Sequence, residues 1–234
     1  MQLRAPAKLT TSLRITGVRD DGFHLIDAEM VSLDLVDTLT LAEGSGVAYT
    51  GPQAIDGLDD GNDLVSRAVA LVGRAVQVTV HKHIPAGAGL GGGSSDAAAI
   101  LRWAGFDDLD AAAAIGADVP FCIVGGRARV TGIGQLVEPL PFVDQTFTLL
   151  TPPFGCSTPA VYRRWDELGG PVGEHGNDLE PAALSVEPRL AAVRDALGDA
   201  TGQRPRLAGS GSTWFVTGAH PGEGRVVSRA LPPA

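Results

Sequence analysis

The chain is poor in cysteine, in aromatic residues and in positive charge. Its two cysteines, Cys122 and Cys156, show no C-x-x-C spacing. Free thiols in a reducing cytoplasm are therefore expected, not a disulfide framework. Aromatic residues make up 5% of the chain, against 31 glycines and several alanine-rich stretches. That balance implies close backbone packing in place of an aromatic core. Lys and Arg number 18 against 27 Asp and Glu, a formal net charge of −9. So acidic a chain is not expected to offer a general nucleic-acid surface, and an anionic nucleotide would have to be held by a few local groups. No stretch reaches the roughly eighteen apolar residues of a membrane span, and MQLRAPAKLT has no apolar signal core, so no membrane partner is expected.

What the chain does have is PAGAGLGGGSSDAAA, Pro85 to Ala99. Ahead of it, Val76, Val78 and Val80 alternate with Gln77, Thr79 and His81, which predicts a half-buried strand. After it, Ala97 to Leu101 reads as a helix. Strand, glycine-rich loop and helix in that order make an anion site. Glycine lets the backbone approach a ligand, and the helix start adds unpaired N–H groups and the positive end of its dipole. Ser94, Ser95 or Asp96 is expected to cap the helix, and a serine hydroxyl to reach a phosphate or Mg²⁺. The bland alternative is a tight turn or linker. A Walker loop is excluded, because no lysine follows the glycines. Gly87, Gly89 and Gly92 fit the dinucleotide pattern G-x-G-x-x-G, but the required acidic strand end is missing: AAAAIGADVPF is helix-like up to Gly116.

Around this centre, Met1 to Leu41 reads as strands and turns, and Gly44 to Gly61 as a short strand with loops. Asn62 to Ala75 reads as a helix capped by Asn62. Gly116 to Gly134 reads as a turn followed by strand and hairpin. FTLLTPP predicts a strand, and STPAVYRRWDEL an amphipathic helix capped by Ser157 or Thr158. NDLEPAALSVEPRLAAVRDALG predicts more helix, RLAGSGSTWFVTG a glycine turn and strand, and the final PPA a frayed end. Strands and helices mix without strict alternation, so the fold class is α+β in two lobes, divided near residues 139–144. His81 and His83 flank Lys82 at a spacing that could hold a metal, but no third ligand is evident and a solvated strand edge is the favoured reading. No residue is assigned to a metal.

Taken with its neighbours, the loop string resembles the phosphate loop of the GHMP kinases, and within them the 4-diphosphocytidyl-2-C-methyl-D-erythritol kinases. Six further segments resemble that family in the right order: A-P-A-K, D-G-F-H, G-A-D-V-P-F, T-P-x-x-Y, N-D-x-E-P (Asn177 to Pro181) and G-S-G-S (Gly209 to Ser212). The resemblance implies a two-lobed α+β GHMP kinase fold. Residues 1–143 would form an ATP-binding lobe like a domain of a small-subunit ribosomal protein, and residues 144–234 a ferredoxin-like α/β lobe. It implies ATP as phosphate donor with Mg²⁺, a cytidine diphosphate alcohol as substrate, and a monomer or homodimer in the cytoplasm.

By the same resemblance Lys8 and Asp118 are catalytic, the aspartate accepting a hydroxyl proton beside a charge-stabilising lysine. ATP falls to Pro85, Ala86, Gly87, Ala88, Gly89, Leu90, Gly91, Gly92, Gly93, Ser94 and Ser95, with Lys82 and Asp63 near the adenine. The alcohol falls to Thr10, Phe23, His24, Thr158, Tyr162, Gly209, Ser210 and Gly211, with Phe23 and Tyr162 sandwiching the cytosine and His24 bonding it. Thr10 stands where the family usually has asparagine, Phe23 where it has tyrosine, and the segment from Trp103 to Gly116 is short. Two other readings stay open: a sister kinase acting on homoserine or a mevalonate-type alcohol, and a nucleotide-binding module without catalysis. A NAD-binding domain is the third.

Overall fold

The structure is a computed structural model that describes residues 1–54 and 61–233. The loop expected before Gly61 lies outside the described residues from 55 to 60, as does the last residue of PPA. Strands β1 (Gln2–Val18) and β2 (His24–Ala42) form one long antiparallel hairpin. The chain continues through β3 (Gly46–Thr50), α1 (Leu64–Val72), β4 (Gln77–His81), the glycine-rich loop and α2 (Gly92–Ala104). Short helices α3 (Leu109–Ile115) and α4 (Val119–Val124) and the hairpin β5 (Arg127–Gly132) and β6 (Leu136–Leu140) follow. β2 is the spine of this sheet. β1 runs along one edge, while β4 (at 38–42) and β5 (at 26–31) share the other end to end. Among the described residues, the only parallel pair of strands is β3 with β4. A sheet so largely antiparallel overturns the NAD-binding reading, whose fold needs parallel strands.

A second, four-stranded antiparallel sheet is built from β7 (Thr146–Leu150), β8 (Arg206–Leu207), β9 (Trp214–Thr217) and β10 (Arg225–Arg229), in the order β10-β7-β9-β8. Helices α5 (Thr158–Glu167), α6 (Glu180–Val186) and α7 (Leu190–Thr201) lie between β7 and β8 in sequence. The α+β expectation therefore holds, and the strands fall into two sheets.

Several local expectations are corrected. VPFCIV is helix α4, not strand, with Pro120 in its first turn, where the missing N–H costs nothing. Asp63, not Asn62, caps α1 by accepting from Val65 N and Ser66 N. α2 begins at Gly92 with Gly91 in the left-handed cap position and no side-chain cap, so Ser94, Ser95 and Asp96 lie inside the helix. Ser157 occupies the cap position of α5 but makes no capping bond. PPA is not frayed throughout: Pro233 bridges to Gly125, and Leu231 N donates to Ser32 O at 2.8 Å. Strand β10, just ahead of it, went unread in the sequence.

Two features fix the loop. In G-A-G-L-G the larger residues turn inward: Ala88 and Leu90 are 1% exposed and join Leu9, Leu33, Phe147, Leu149 and Phe215 in a core shared by both sheets. Burying one such leucine stabilises by about 2 kcal/mol. The second feature is a buried charge cluster. The Lys82 ammonium pairs with Asp37 on β2 and with Asp96 on α2, the latter at 2.6 Å. Asp37 Oδ1 also accepts from His83 N and Ile84 N, at 2.5 and 2.9 Å. The chain entering the loop and the helix leaving it are thus tied to one point.

Burial, with the Asp37 charge adding to it and Lys82 opposing, pushes the Asp96 carboxyl up to about 7. Burial works to lower Lys82 but the two carboxylates outweigh it, so its value is raised and the ammonium stays charged. A carboxyl whose folded pKa lies above its unfolded one contributes stability fully present below about pH 4, lost as pH rises through about 7. Relative to Asp96→Asn, which does not titrate, the wild type should lose unfolding free energy between pH 4 and pH 8, measured by urea denaturation. A difference that stays flat or grows in that window would contradict the assignment.

Candidate functional site

The elements converge on one cleft of about 840 Å³ between the glycine-rich loop, the tip of the β1–β2 hairpin and the start of α5. Lys8 comes from β1 and Asp118 from the cap position of α4, their Nζ and Oδ2 atoms 3.0 Å apart. Asp118 makes no capping bond, so its carboxylate is free to face Lys8 and the cleft, and its side chain is 31% exposed. Lys8 is buried and also donates to Thr10 Oγ1 at 3.1 Å. Its methylenes lie against Gly91, where a Cβ would stand 2.7 Å from Cγ. Gly209 completes the ring around the ammonium, at 3.8 Å from Nζ to where a Cβ would be.

The loop turns its carbonyls inward. Gly87 O, Ala88 O and Leu90 O accept from Cys156 N, Thr213 N and Lys8 N. At the head of α2, the amides of Gly92, Gly93 and Ser94 precede the first intrahelical bond, Ser95 N to Gly91 O, and no side chain caps them. Unspent amides, the helix dipole and the Lys8 ammonium together suit a polyphosphate. Gly89 seats the loop: at φ +77°, its Cβ would meet Ala208 O at 2.5 Å and Gly211 O at 2.8 Å.

The other end of the cleft is aromatic. His24 lies 4.8 Å from the Tyr162 ring and 5.5 Å from Trp165, and its Nε2 is 2.8 Å from Asp166 Oδ1. Phe23, 58% exposed, stands at the hairpin tip. Burial, and secondarily the Asp118 charge, raises the Tyr162 hydroxyl, which stays protonated. Thr158 Oγ1 and Ser210 Oγ are hydrogen-bonded at 2.8 Å.

Most of the sequence-expected residues meet here, and three do not line the cleft. Leu90 points into the shared core. Ser95 is fully buried, and its hydroxyl is engaged away from the cleft, donating to Pro6 O at 2.6 Å. Gly211 lies beneath the turn, against Leu207 and Cys156. Asp63 and Lys82 line the cleft with their charged ends engaged. Burial works to raise the Asp63 carboxyl, but hydrogen bonds from Ser66, Tyr49 and the α1 amides lower it overall. N-D-L-E-P acts from behind: Asn177 Nδ2 donates to Leu207 O and Gly209 O, and Asp178 accepts from Arg14 and Ile15 N, fastening the G-S-G-S turn to β1.

Sequence reasoning missed Asp37, Arg163 and Asp166. Arg163 lines the cleft beside Tyr162 with no partner among the described residues. Mg²⁺ has a limited donor set: no cluster of three or more His, Cys, Asp or Glu forms a metal site among the described residues. Asp96 Oδ1 is, however, a buried, unpartnered carboxylate oxygen of a cleft-lining residue. With Ser94 it suits an ion that keeps water and phosphate oxygens as its main ligands.

Gly89→Ala should unseat the loop, raising the KM for ATP and lowering stability by about 1–3 kcal/mol. Gly105→Ala, at φ +72° with nothing within 4 Å, supplies the strain without the collision. It should leave the KM for ATP unchanged; equal effects of the two on that KM would refute the seating role.

Residues 63–126 match the family described as GHMP kinases N terminal domain. A 4-diphosphocytidyl-2-C-methyl-D-erythritol kinase of Paracoccus denitrificans is 40% identical, over 90% of this chain and 84% of its own length. One from Cereibacter sphaeroides is 35% identical, over 97% and 92%. The crystal structure of a 4-(cytidine 5'-diphospho)-2C-methyl-D-erythritol kinase superposes with TM-score 0.77 at 29% identity, covering 98% of this chain and 99% of that one. A homoserine kinase from Cytophaga hutchinsonii, at 17% identity and TM-score 0.63, shares the fold. The extent and identity of these matches establish that the chain belongs to the 4-diphosphocytidyl-2-C-methyl-D-erythritol kinases, within the GHMP kinase superfamily.

Proposed function

We propose that the protein transfers the γ-phosphate of ATP to the 2-hydroxyl of 4-diphosphocytidyl-2-C-methyl-D-erythritol, giving the 2-phosphate and ADP, in non-mevalonate isoprenoid synthesis. One observation carries this reading beyond the family: the uncapped amides of α2 and the aromatic pocket flank the same Lys8–Asp118 pair. Phosphoryl transfer asks chiefly for alignment and for charge stabilisation.

In this reading the polyphosphate lies over Gly91, Gly92, Gly93 and Ser94, and the adenine near Asp63. The cytosine lies against Phe23, Tyr162 and His24. Arg163, an unpaired cation next to Tyr162, faces the diphosphate of the alcohol, where a planar guanidinium can bind two oxygens. Asp118 accepts the hydroxyl proton, and Lys8 holds Asp118 in place and balances charge on the moving phosphoryl group. Mg²⁺ would be held by Ser94, Asp96 and phosphate oxygens, and would neutralise phosphate charge. Residues 1–143 form the ATP lobe and 144–234 the second lobe, each contributing one wall.

Asp118→Ala should lower kcat by about 10²–10⁴-fold with ATP affinity nearly unchanged. Near-parental turnover would remove Asp118 from its role. The substrate is tested by ADP release from Mg-ATP with the cytidine alcohol, homoserine and mevalonate offered in parallel. Turnover with the cytidine compound alone is expected; turnover only with another alcohol would refute the aromatic base pocket.

A further inference from the structure

We infer that Asp166 determines the base preference of the cleft by fixing the tautomer of His24. The inference rests on the reading of the aromatic end as the base site.

Asp166 Oδ1 lies 2.8 Å from His24 Nε2. A carboxylate only accepts, so Nε2 carries the hydrogen and donates it. In the neutral ring the remaining nitrogen, Nδ1, is then an acceptor. Among the described residues Nδ1 has no partner, and it is not one of the sealed polar atoms that lack one. Nδ1 is therefore not sealed off, and the ring that carries it lines the cleft. The ring is also held in orientation, tilted 43° to Tyr162 and edge-on to Trp165 at 82°. Trp165 is itself anchored through Nε1 to Pro171 O at 2.9 Å. Asp166 follows Tyr162 by one helical turn of α5, so one rigid face carries the stacking ring and the carboxylate that orients its neighbour.

An acceptor at Nδ1 suits an exocyclic amino group, as on cytosine, and repels the carbonyl that uracil presents at the same place. Asp166 is thus a positioning residue: it acts on the base through His24. In Asp166→Asn the amide can donate to Nε2 as readily as accept from it, which frees Nδ1 to carry the hydrogen. Asp166→Glu keeps an acceptor-only partner.

The test measures kcat and KM for the cytidine alcohol and its uridine analogue in wild type, Asp166→Asn and Asp166→Glu, with the His24 tautomer read from its ¹⁵N shifts. The expected result is a cytidine-over-uridine preference reduced about tenfold or more in Asp166→Asn, carried by KM. kcat and the KM for ATP stay unchanged, and Asp166→Glu restores the preference. Wild-type shifts should show hydrogen on Nε2. A wild-type enzyme that turns over the cytidine alcohol but carries hydrogen on Nδ1, or an unchanged preference in Asp166→Asn, would overturn this inference alone. No wild-type turnover of the cytidine alcohol would overturn the base-site reading and this inference with it.

Discussion

A single buried ammonium, held between two carboxylates, is the constraint on which the site depends. Lys82 is 5% exposed, and its partners Asp37 and Asp96 are 0% and 1% exposed. Breaking such a cluster at one member leaves a buried charge unpaired, which commonly costs about 3–5 kcal/mol. Its geometry explains why it is there. Asp37 holds the backbone at His83 and Ile84 just before the glycines, and Asp96 sits just after them. A glycine-rich segment is costly to order, and here both of its ends are pinned to β2. The loop can then leave its leading amides without internal partners.

Everything else at the cleft is mounted on regular structure in the same way. Lys8 rides on β1 of the long hairpin and is flanked by two glycines that leave room for its side chain. Asp118 begins a helix it does not cap. Tyr162 and Asp166 ride on α5, and the N-D-L-E-P segment bolts the G-S-G-S turn to β1 from behind. Groups positioned by strands and helices hold the sub-ångström tolerances that phosphoryl transfer needs better than groups on free loops. Although the overall charge is −9, cations line the cleft, Lys8 and Arg163 among them.

The strand, loop and helix at the centre were legible because period-two alternation, glycines and alanines are local signals. The same alternation carried more than was read from it: Val78, Val80, Lys82 and Ile84 share one parity, and all four are buried. A lysine on the inward parity must find carboxylates, but nothing local says that Asp37, far back on β2, is one of them. VPFCIV misled because a short apolar run does not separate strand from helix; Pro120 was the signal for a helix start. Ser95 reads as a cap because serine before a helix usually is one, yet the left-handed Gly91 already starts the helix and Ser95 turns inward. The His24–Asp166 contact joins residues that only the folded chain brings together, so no spacing could have announced it.

The most direct measurement is a crystal structure of the ternary complex with a non-hydrolysable ATP analogue and the cytidine alcohol. The γ-phosphate is expected over the Gly92–Ser94 amides. The acceptor hydroxyl is expected about 3 Å from the Asp118 carboxylate, with the cytosine beside His24. A γ-phosphate bound away from the α2 N-terminus, or an acceptor hydroxyl out of reach of Asp118, would contradict this placement.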